Sequence, residues 1–118
     1  MDVPELEPEQ VRERLERGEL LLVDVREPHE WEQGRIAGAR HIELARLAER
    51  AGELPRDLPV VFQCQVGARS AMATEAFRAA GWEAYNMAGG IVRWAQRGLP
   101  VETAPGAQNR PDWPVSQR

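Results

Sequence analysis

The chain of 118 residues is poor in reactive side chains, with one cysteine, two histidines and no lysine. A single cysteine excludes an internal disulfide and a zinc site built from several cysteines. The absence of lysine excludes Schiff-base chemistry on that side chain. Since the two histidines and the scattered carboxylates give no metal-ligand spacing, we expect no metal site, and we expect no cofactor.

Long apolar runs are also missing, and the first ten residues are acidic rather than a cationic, apolar leader. The net charge of −4 and the pI near 5.2 argue against nucleic acid as a general partner. A free thiol without a secretion signal suits a reducing compartment. We therefore expect a cytoplasmic protein with no membrane and no nucleic-acid partner.

Short apolar segments alternate with helical patterns along the chain. Strands are predicted at 20–25, 39–42, 60–63 and 82–87, and helices at 8–17, 28–33, 44–51, 71–80 and 91–97. Gly89 and Gly90 are predicted to form a hinge before the last helix. This alternation favours one α/β domain over residues 1–102, with a parallel sheet flanked by helices on both faces. Residues 103–118 form a Pro/Gly-rich tail that we expect to be loosely ordered, and in it Trp113 is a residue expected to dock.

The cysteine lies at a distinctive position, because the apolar run Val60–Gln63 ends at Cys64 and a helical segment follows shortly after. A strand–loop–helix turn directs backbone N–H groups and the positive end of a helix dipole at its centre. Both favour a thiolate, which is the nucleophilic form of the side chain. Gly67 permits a positive φ in such a loop, and Arg69 is placed to close the ring or to hold an oxyanion.

A lone cysteine is more often a small buried hydrophobe than a catalyst, so the two interpretations stand side by side. The glycine and arginine that follow Cys64 favour a functional cysteine. Ser70 lacks a base at triad spacing, and its predicted role is to cap the following helix. Trp31 and Trp94 are predicted to lie in the core or at the rim of a pocket.

The chain resembles a single-domain rhodanese over residues 5 to about 102. Five blocks in order carry the resemblance: Leu22-Val23-Asp24-Val25-Arg26; Glu30-Trp31 with Gly34-Arg35-Ile36-Ala37-Gly38-Ala39; Cys64-Gln65-Val66-Gly67-Ala68-Arg69-Ser70; Ala80-Gly81-Trp82 with Tyr85-Asn86-Met87; and Gly89-Gly90-Ile91 with Trp94 and Gly98-Leu99-Pro100-Val101. What the resemblance implies is a thiosulfate sulfurtransferase-like enzyme of rhodanese-like α/β fold.

The resemblance also implies residue roles. Cys64 is the nucleophile, which takes a sulfur from thiosulfate or a persulfide and passes it to a thiol, cyanide or protein acceptor. The loop that binds the anion is Gln65, Val66, Gly67, Ala68, Arg69 and Ser70, and Arg69 and the Ser70 hydroxyl are expected to support it. Asp24 and Arg26 are expected beside this loop, where holding it together is favoured over catalysis.

Two other functions are kept as alternatives. Four residues separate Cys64 from Arg69, whereas related phosphatases and arsenate reductases have five, so the count favours sulfur transfer. A non-catalytic interaction module with the same fold is the second alternative, although such modules usually lack the nucleophile. Two departures from the family pattern are Gln65, which stands where many thiosulfate-using members carry a basic residue, and Arg35, which stands where histidine is frequent. We expect weak turnover of thiosulfate from the first and little consequence from the second.

Overall fold

The computed structural model of the protein describes residues 3–103, and the predicted tail beyond Thr103, including Trp113, lies outside this range. The strands are β1 (Glu5–Leu6), β2 (Leu21–Asp24), β3 (Arg40–His41), β4 (Val60–Gln63) and β5 (Ala84–Met87). The helices are α1 (Pro8–Glu16), α2 (Pro28–Gln33), α3 (Leu44–Arg50), α4 (Ala68–Ala79) and α5 (Gly90–Gln96), and a 3₁₀ turn (Ala51–Glu53) follows α3.

The five strands form one sheet in the order β1-β5-β4-β2-β3, and every neighbouring pair is parallel. β4 therefore lies in the middle, between β5 and β2. All four of its residues are buried, which is the pattern of a strand covered on both faces. The predicted parallel α/β sheet is confirmed.

Two apolar clusters lie on opposite faces of the sheet. Because successive side chains of a strand point to opposite faces, Val60 and Phe62 join one cluster and Val61 joins the other. The first cluster includes residues of α3 and α4, such as Leu47 and Phe77. The second includes residues of α1 and α5, such as Val11 and Trp94. Helices thus cover both faces, as predicted.

The edge strand β1 was not predicted. It has only two residues, Glu5 and Leu6, which pair with Asn86 and Met87 of β5. Two residues are too few to show an alternating pattern, and the pairing partner is distant along the chain. The remaining predicted segments form at their expected places, with ends displaced by at most three residues.

The largest displacement is at α4, which begins at Ala68 rather than at 71. The residue before it, Gly67, has a φ of +106° and lets the chain enter the helix directly from the loop. The helix buries Ser70, Ala73, Thr74 and Phe77, while Ala76 and Ala80 are exposed. α4 has 12 residues, and no helix within residues 3–103 is long and apolar enough to cross a membrane.

Candidate active site

Cys64 follows the last residue of β4, at the carboxyl edge of the sheet, where ligands bind in open α/β folds. Its side chain is 1% exposed. The Sγ atom accepts hydrogen bonds from the N–H of Gly67 (3.2 Å), the N–H of Ser70 (3.3 Å) and the hydroxyl of Ser70 (3.3 Å). Three donors converging on one sulfur favour a negative charge there.

Ser70 does not cap α4, so the predicted helix cap was wrong. Because the helix starts at Ala68, Ser70 lies in its first turn and Gly67 is the N-terminal cap residue. The Ser70 hydroxyl instead donates to Cys64. The sequence suggested a cap because serine is common there, and it did not reveal how early the helix begins.

Gly67 has the positive φ predicted for it, +106°. Its carbonyl accepts a hydrogen bond from the Nδ2 of Asn86 (3.2 Å), and the same Nδ2 donates to a carboxylate oxygen of Glu5 (3.1 Å). Asn86 is 2% exposed. Glu5 of β1 and Asn86 of β5 thus hold the carbonyl group of Gly67, the residue whose N–H donates to Cys64. The sequence contains no local signal for this contact, since Asn86 lies 19 residues from Gly67.

Gly90 is a point of close packing rather than the hinge predicted from the Gly89-Gly90 pair. The N–H groups of Ile91 and Val92 donate to the carbonyls of Cys64 (2.8 Å) and Gln65 (3.1 Å). A Cβ atom on Gly90 would lie 2.4 Å from the Gln65 oxygen and 2.5 Å from the Cys64 oxygen. The start of α5 therefore holds the backbone of the cysteine loop, and a side chain at this position would displace it.

Asp24 and Arg26 form a fully buried ion pair beside the loop, with both side chains 0% exposed. Arg26 donates from Nε and Nη2 to the Asp24 carboxylate, at 3.0 Å and 2.8 Å. Its Nη2 also donates to the carbonyl of Gly34 (2.7 Å), and its Nη1 donates to the Gln65 Oε1 (3.2 Å). The pair joins β2 to the first residue of the loop after Cys64.

Replacing Arg26 with methionine is expected to lower the free energy of unfolding by about 3 kcal/mol, because it leaves the Asp24 carboxylate buried without its partner. Urea denaturation measures the change. The double variant Asp24→Leu/Arg26→Met should recover part of the loss, since it removes the stranded charge as well. Arg46→Met, which breaks an exposed pair with Glu49, should cost under about 0.5 kcal/mol. Equal losses in Arg26→Met and Arg46→Met would contradict the assignment.

Arg69 points toward α2, where its guanidinium binds both carboxylate oxygens of Glu30 at 2.7 Å and 2.9 Å. The hydrogen bonds from Arg69 are the main cause that lowers the pKa of Glu30 from its ordinary 4.5 to about 2. A hydrogen bond from the Glu27 backbone acts in the same direction, and partial burial opposes both. The pair links the first turn of α4 to α2 across the mouth of the loop.

The depressed pKa of Glu30 predicts a loss of stability in acid. The contribution of the pair is complete above pH 4.5 and is lost as the pH falls through about 2. Glu30→Gln is expected to be roughly 1 kcal/mol less stable than the parent at about pH 6, and nearly equal to it at about pH 2. Urea unfolding at several pH values measures this convergence, with Glu49→Gln as an exposed control. A constant difference across the window would count against the pairing.

The remaining loop residues carry no charge. Gln65 is partly buried, Ala68 is exposed, and Val66 at the tip is 62% exposed. Within residues 3–103, no group of three or more His, Cys, Asp or Glu side chains is placed to hold a metal ion. The groups that the site offers to a ligand are therefore one thiol, a ring of N–H and O–H donors and an apolar tip.

The two tryptophans of the sequence prediction occupy different places. Trp94 is 2% exposed in the core and donates from Nε1 to the carbonyl of Pro100 (2.8 Å). Trp31 is partly exposed and stacks on His41, with ring centroids 4.8 Å apart. Arg35, which stands where the family often has histidine, donates to the carbonyl of Trp31 at 2.8 Å and lies over its ring. Its contacts are therefore structural.

Comparison with known proteins gives one family and several relatives. The model of the family described as "Rhodanese-like domain" matches residues 7–97. A protein of Allochromatium vinosum named sulfurtransferase is 38% identical over 101 residues, which cover 84% of this chain and 94% of that protein. The uncharacterised protein YqhL of Bacillus subtilis is 46% identical over 74 residues, or 62% of this chain, and the match spans only 59% of its length.

A solved structure agrees with the fold described above. The crystal structure of a rhodanese-related protein from Thermoplasma volcanium superimposes with a TM-score of 0.78 and 31% sequence identity. The superposition covers 84% of this chain and 97% of that one.

Proposed function

The chain belongs to the rhodanese-like domain family, and from this premise we propose that it transfers sulfane sulfur through a persulfide on Cys64. The Cys64 thiolate attacks the outer sulfur of a donor such as thiosulfate or a persulfide. The acceptor, which is cyanide, a small thiol or a protein thiol, then removes that sulfur and regenerates the thiolate. This is covalent catalysis in two half-reactions.

The observation that carries the proposal is the set of three donors on Sγ, from Gly67 and Ser70. These donors stabilise the thiolate before attack. After attack the charge lies one atom further out, on the terminal sulfur of the persulfide. The remaining N–H groups of the loop, together with the N-terminal end of α4, supply a favourable field for that second position.

Two ion pairs hold the loop in place for both half-reactions. Arg26 fixes the Gln65 side chain from the buried Asp24, and Arg69 ties the first turn of α4 to Glu30. Neither guanidinium makes a hydrogen bond to Sγ. We assign both arginines a positioning role, which is the role that the sequence favours for Arg26 and that the resemblance implies for Arg69.

The loop also bears on the alternative of phosphoryl transfer. Four residues lie between Cys64 and Arg69, and none of the loop residues is a carboxylic acid. A cysteine-dependent phosphatase needs a general acid to protonate the leaving alcohol. Sulfur transfer needs no such acid, because sulfite and thiolates leave as stable anions.

The proposal is tested by steady-state kinetics with a sulfane donor and cyanide, with thiocyanate formation as the readout. A covalent intermediate predicts parallel double-reciprocal lines when the donor is varied at several cyanide concentrations. Intersecting lines would indicate direct transfer and would contradict the persulfide step. Hydrolysis of p-nitrophenyl phosphate without any thiocyanate formation would favour the phosphatase alternative.

A further inference from the structure

The two arginines beside Cys64 are both occupied by carboxylates. Building on the proposed function, we propose that Glu30 is a specificity-determining residue. By holding the charge of Arg69, it makes the site prefer sulfane donors with one negative charge and an apolar flank over the dianion thiosulfate.

Arg69 is the nearer of the two cations to solvent. Two N–H groups of its guanidinium donate to the Glu30 carboxylate, at 2.7 Å and 2.9 Å. The Arg69 side chain is 33% exposed and the Glu30 side chain is 20% exposed. The carboxylate occupies the Nη1/Nη2 end of the guanidinium, which is one of the two edges that can bind an oxyanion through two hydrogen bonds. The pair presents almost no net charge to an incoming anion.

Arg26 is unavailable to an incoming anion because it is buried. It is 0% exposed, and its hydrogen bonds go to Asp24, to the carbonyl of Gly34 and to Gln65. A donor molecule at the mouth of the loop reaches none of these N–H groups. The cation also serves to balance the Asp24 carboxylate, which lies beside it in the interior.

The surface around the thiol is correspondingly uncharged. Gln65, Val66 and Ala68 carry no charge, and Val66 exposes 62% of its surface at the loop tip. The donors on Sγ stabilise the single charge carried by the sulfur that is transferred. A second charge on the far end of the donor meets an isopropyl group there instead of a cation, and this is unfavourable.

The chemical step is the same for both kinds of donor. With thiosulfate, a bond forms between Cys64 Sγ and the outer sulfur while the S–S bond of the donor breaks, and sulfite leaves with the electron pair. With methanethiosulfonate, the same bonds form and break, and methanesulfinate leaves. Cyanide then takes the outer sulfur as thiocyanate and returns the thiolate. Only the charge and the methyl flank of the donor differ.

The test compares kcat/KM for methanethiosulfonate and for thiosulfate, with cyanide as the acceptor. Because the two leaving groups differ in reactivity, the ratio within one variant is not informative by itself. The quantity compared between variants is kcat/KM for methanethiosulfonate divided by kcat/KM for thiosulfate, called the ratio below. Glu30→Gln releases Arg69, and we expect the ratio to fall by about tenfold in favour of thiosulfate. The change should shrink as the salt concentration rises.

A second variant covers the case in which Glu30→Gln disturbs the loop. Val66→Arg adds a free cation at an exposed position and leaves the Glu30–Arg69 pair intact, so the ratio should again fall by about tenfold. Ala79→Arg adds the same charge at the other end of α4, about 16 Å along the helix. This distance is about twice the Debye length in physiological salt, and the ratio should change by less than about twofold.

An unchanged ratio in Val66→Arg would overturn the proposed preference for a single charge. A changed ratio in Val66→Arg with none in a folded Glu30→Gln would overturn the role of Glu30. A parent protein that accepts sulfur from neither donor, nor from a small-molecule persulfide, would contradict the proposed function itself and with it this inference.

Discussion

On the proposed mechanism, replacing Cys64 with serine is expected to lower sulfur transfer by at least ~10³-fold, because it removes the sulfur that would carry the persulfide and the chain has no second cysteine. The exchange replaces one sulfur atom by oxygen. The N–H groups of Gly67 and Ser70 that now donate to Sγ can donate to the serine oxygen instead. Stability should therefore change by no more than about 1.5 kcal/mol. Thiocyanate formation measures the first effect and urea denaturation the second.

Met72→Ser serves as a matched control for this substitution. Met72 lies on α4, 61% exposed, and outside the ring of donors around Sγ. The variant should keep transfer within about twofold of the parent, since exposed substitutions away from a site change little. Substantial transfer by a folded Cys64→Ser protein would rule out the persulfide mechanism.

Replacing Gly90 with alanine is expected to lower the free energy of unfolding by about 4 kcal/mol or more and to reduce sulfur transfer as well. Two effects add. The φ of +64° is strained for any residue with a Cβ, and that Cβ would lie 2.4–2.5 Å from three backbone atoms of Cys64 and Gln65. Since backbone atoms cannot swing aside, the cysteine loop itself must move.

Gly98→Ala separates the two effects. Gly98 has a similar φ, +77°, and nothing lies within 4 Å of the position of its Cβ. It should cost only the backbone strain, roughly 1–2 kcal/mol, and should leave transfer unaffected. Equal losses of unfolding free energy in Gly90→Ala and Gly98→Ala, measured by urea denaturation, would contradict the close packing of Gly90 against the cysteine loop.

The sequence predicts the architecture well where the signal is local. The buried run that forms β4 and the alternation of strands with helices are sufficient for a parallel sheet covered on both faces. The two-residue edge strand β1 was missed because it depends on pairing with β5, about 80 residues away. The start of α4 was misplaced because it depends on the conformation of Gly67 rather than on a serine cap.

In the candidate site, too, the residues with a local sequence signal were predictable and the long-range contacts were not. Cys64, Gly67 and Arg69 are identifiable from their order along the chain. The contacts of Glu30 with Arg69 and of Asn86 with Gly67 join residues 39 and 19 positions apart, and no local pattern reports them. Gly90 was interpreted as a hinge because two consecutive glycines indicate a flexible joint. In the structure, the backbone of the cysteine loop lies so close to Gly90 that a side chain does not fit.

The persulfide on Cys64 is the central claim, and intact-mass measurement tests it most directly. The protein is incubated with thiosulfate, with methanethiosulfonate or with a small-molecule persulfide, and its mass is measured before and after addition of cyanide. We predict a gain of one sulfur atom that cyanide removes and that the Cys64→Ser variant lacks. No gain from any of these donors, or an equal gain in Cys64→Ser, would contradict the account.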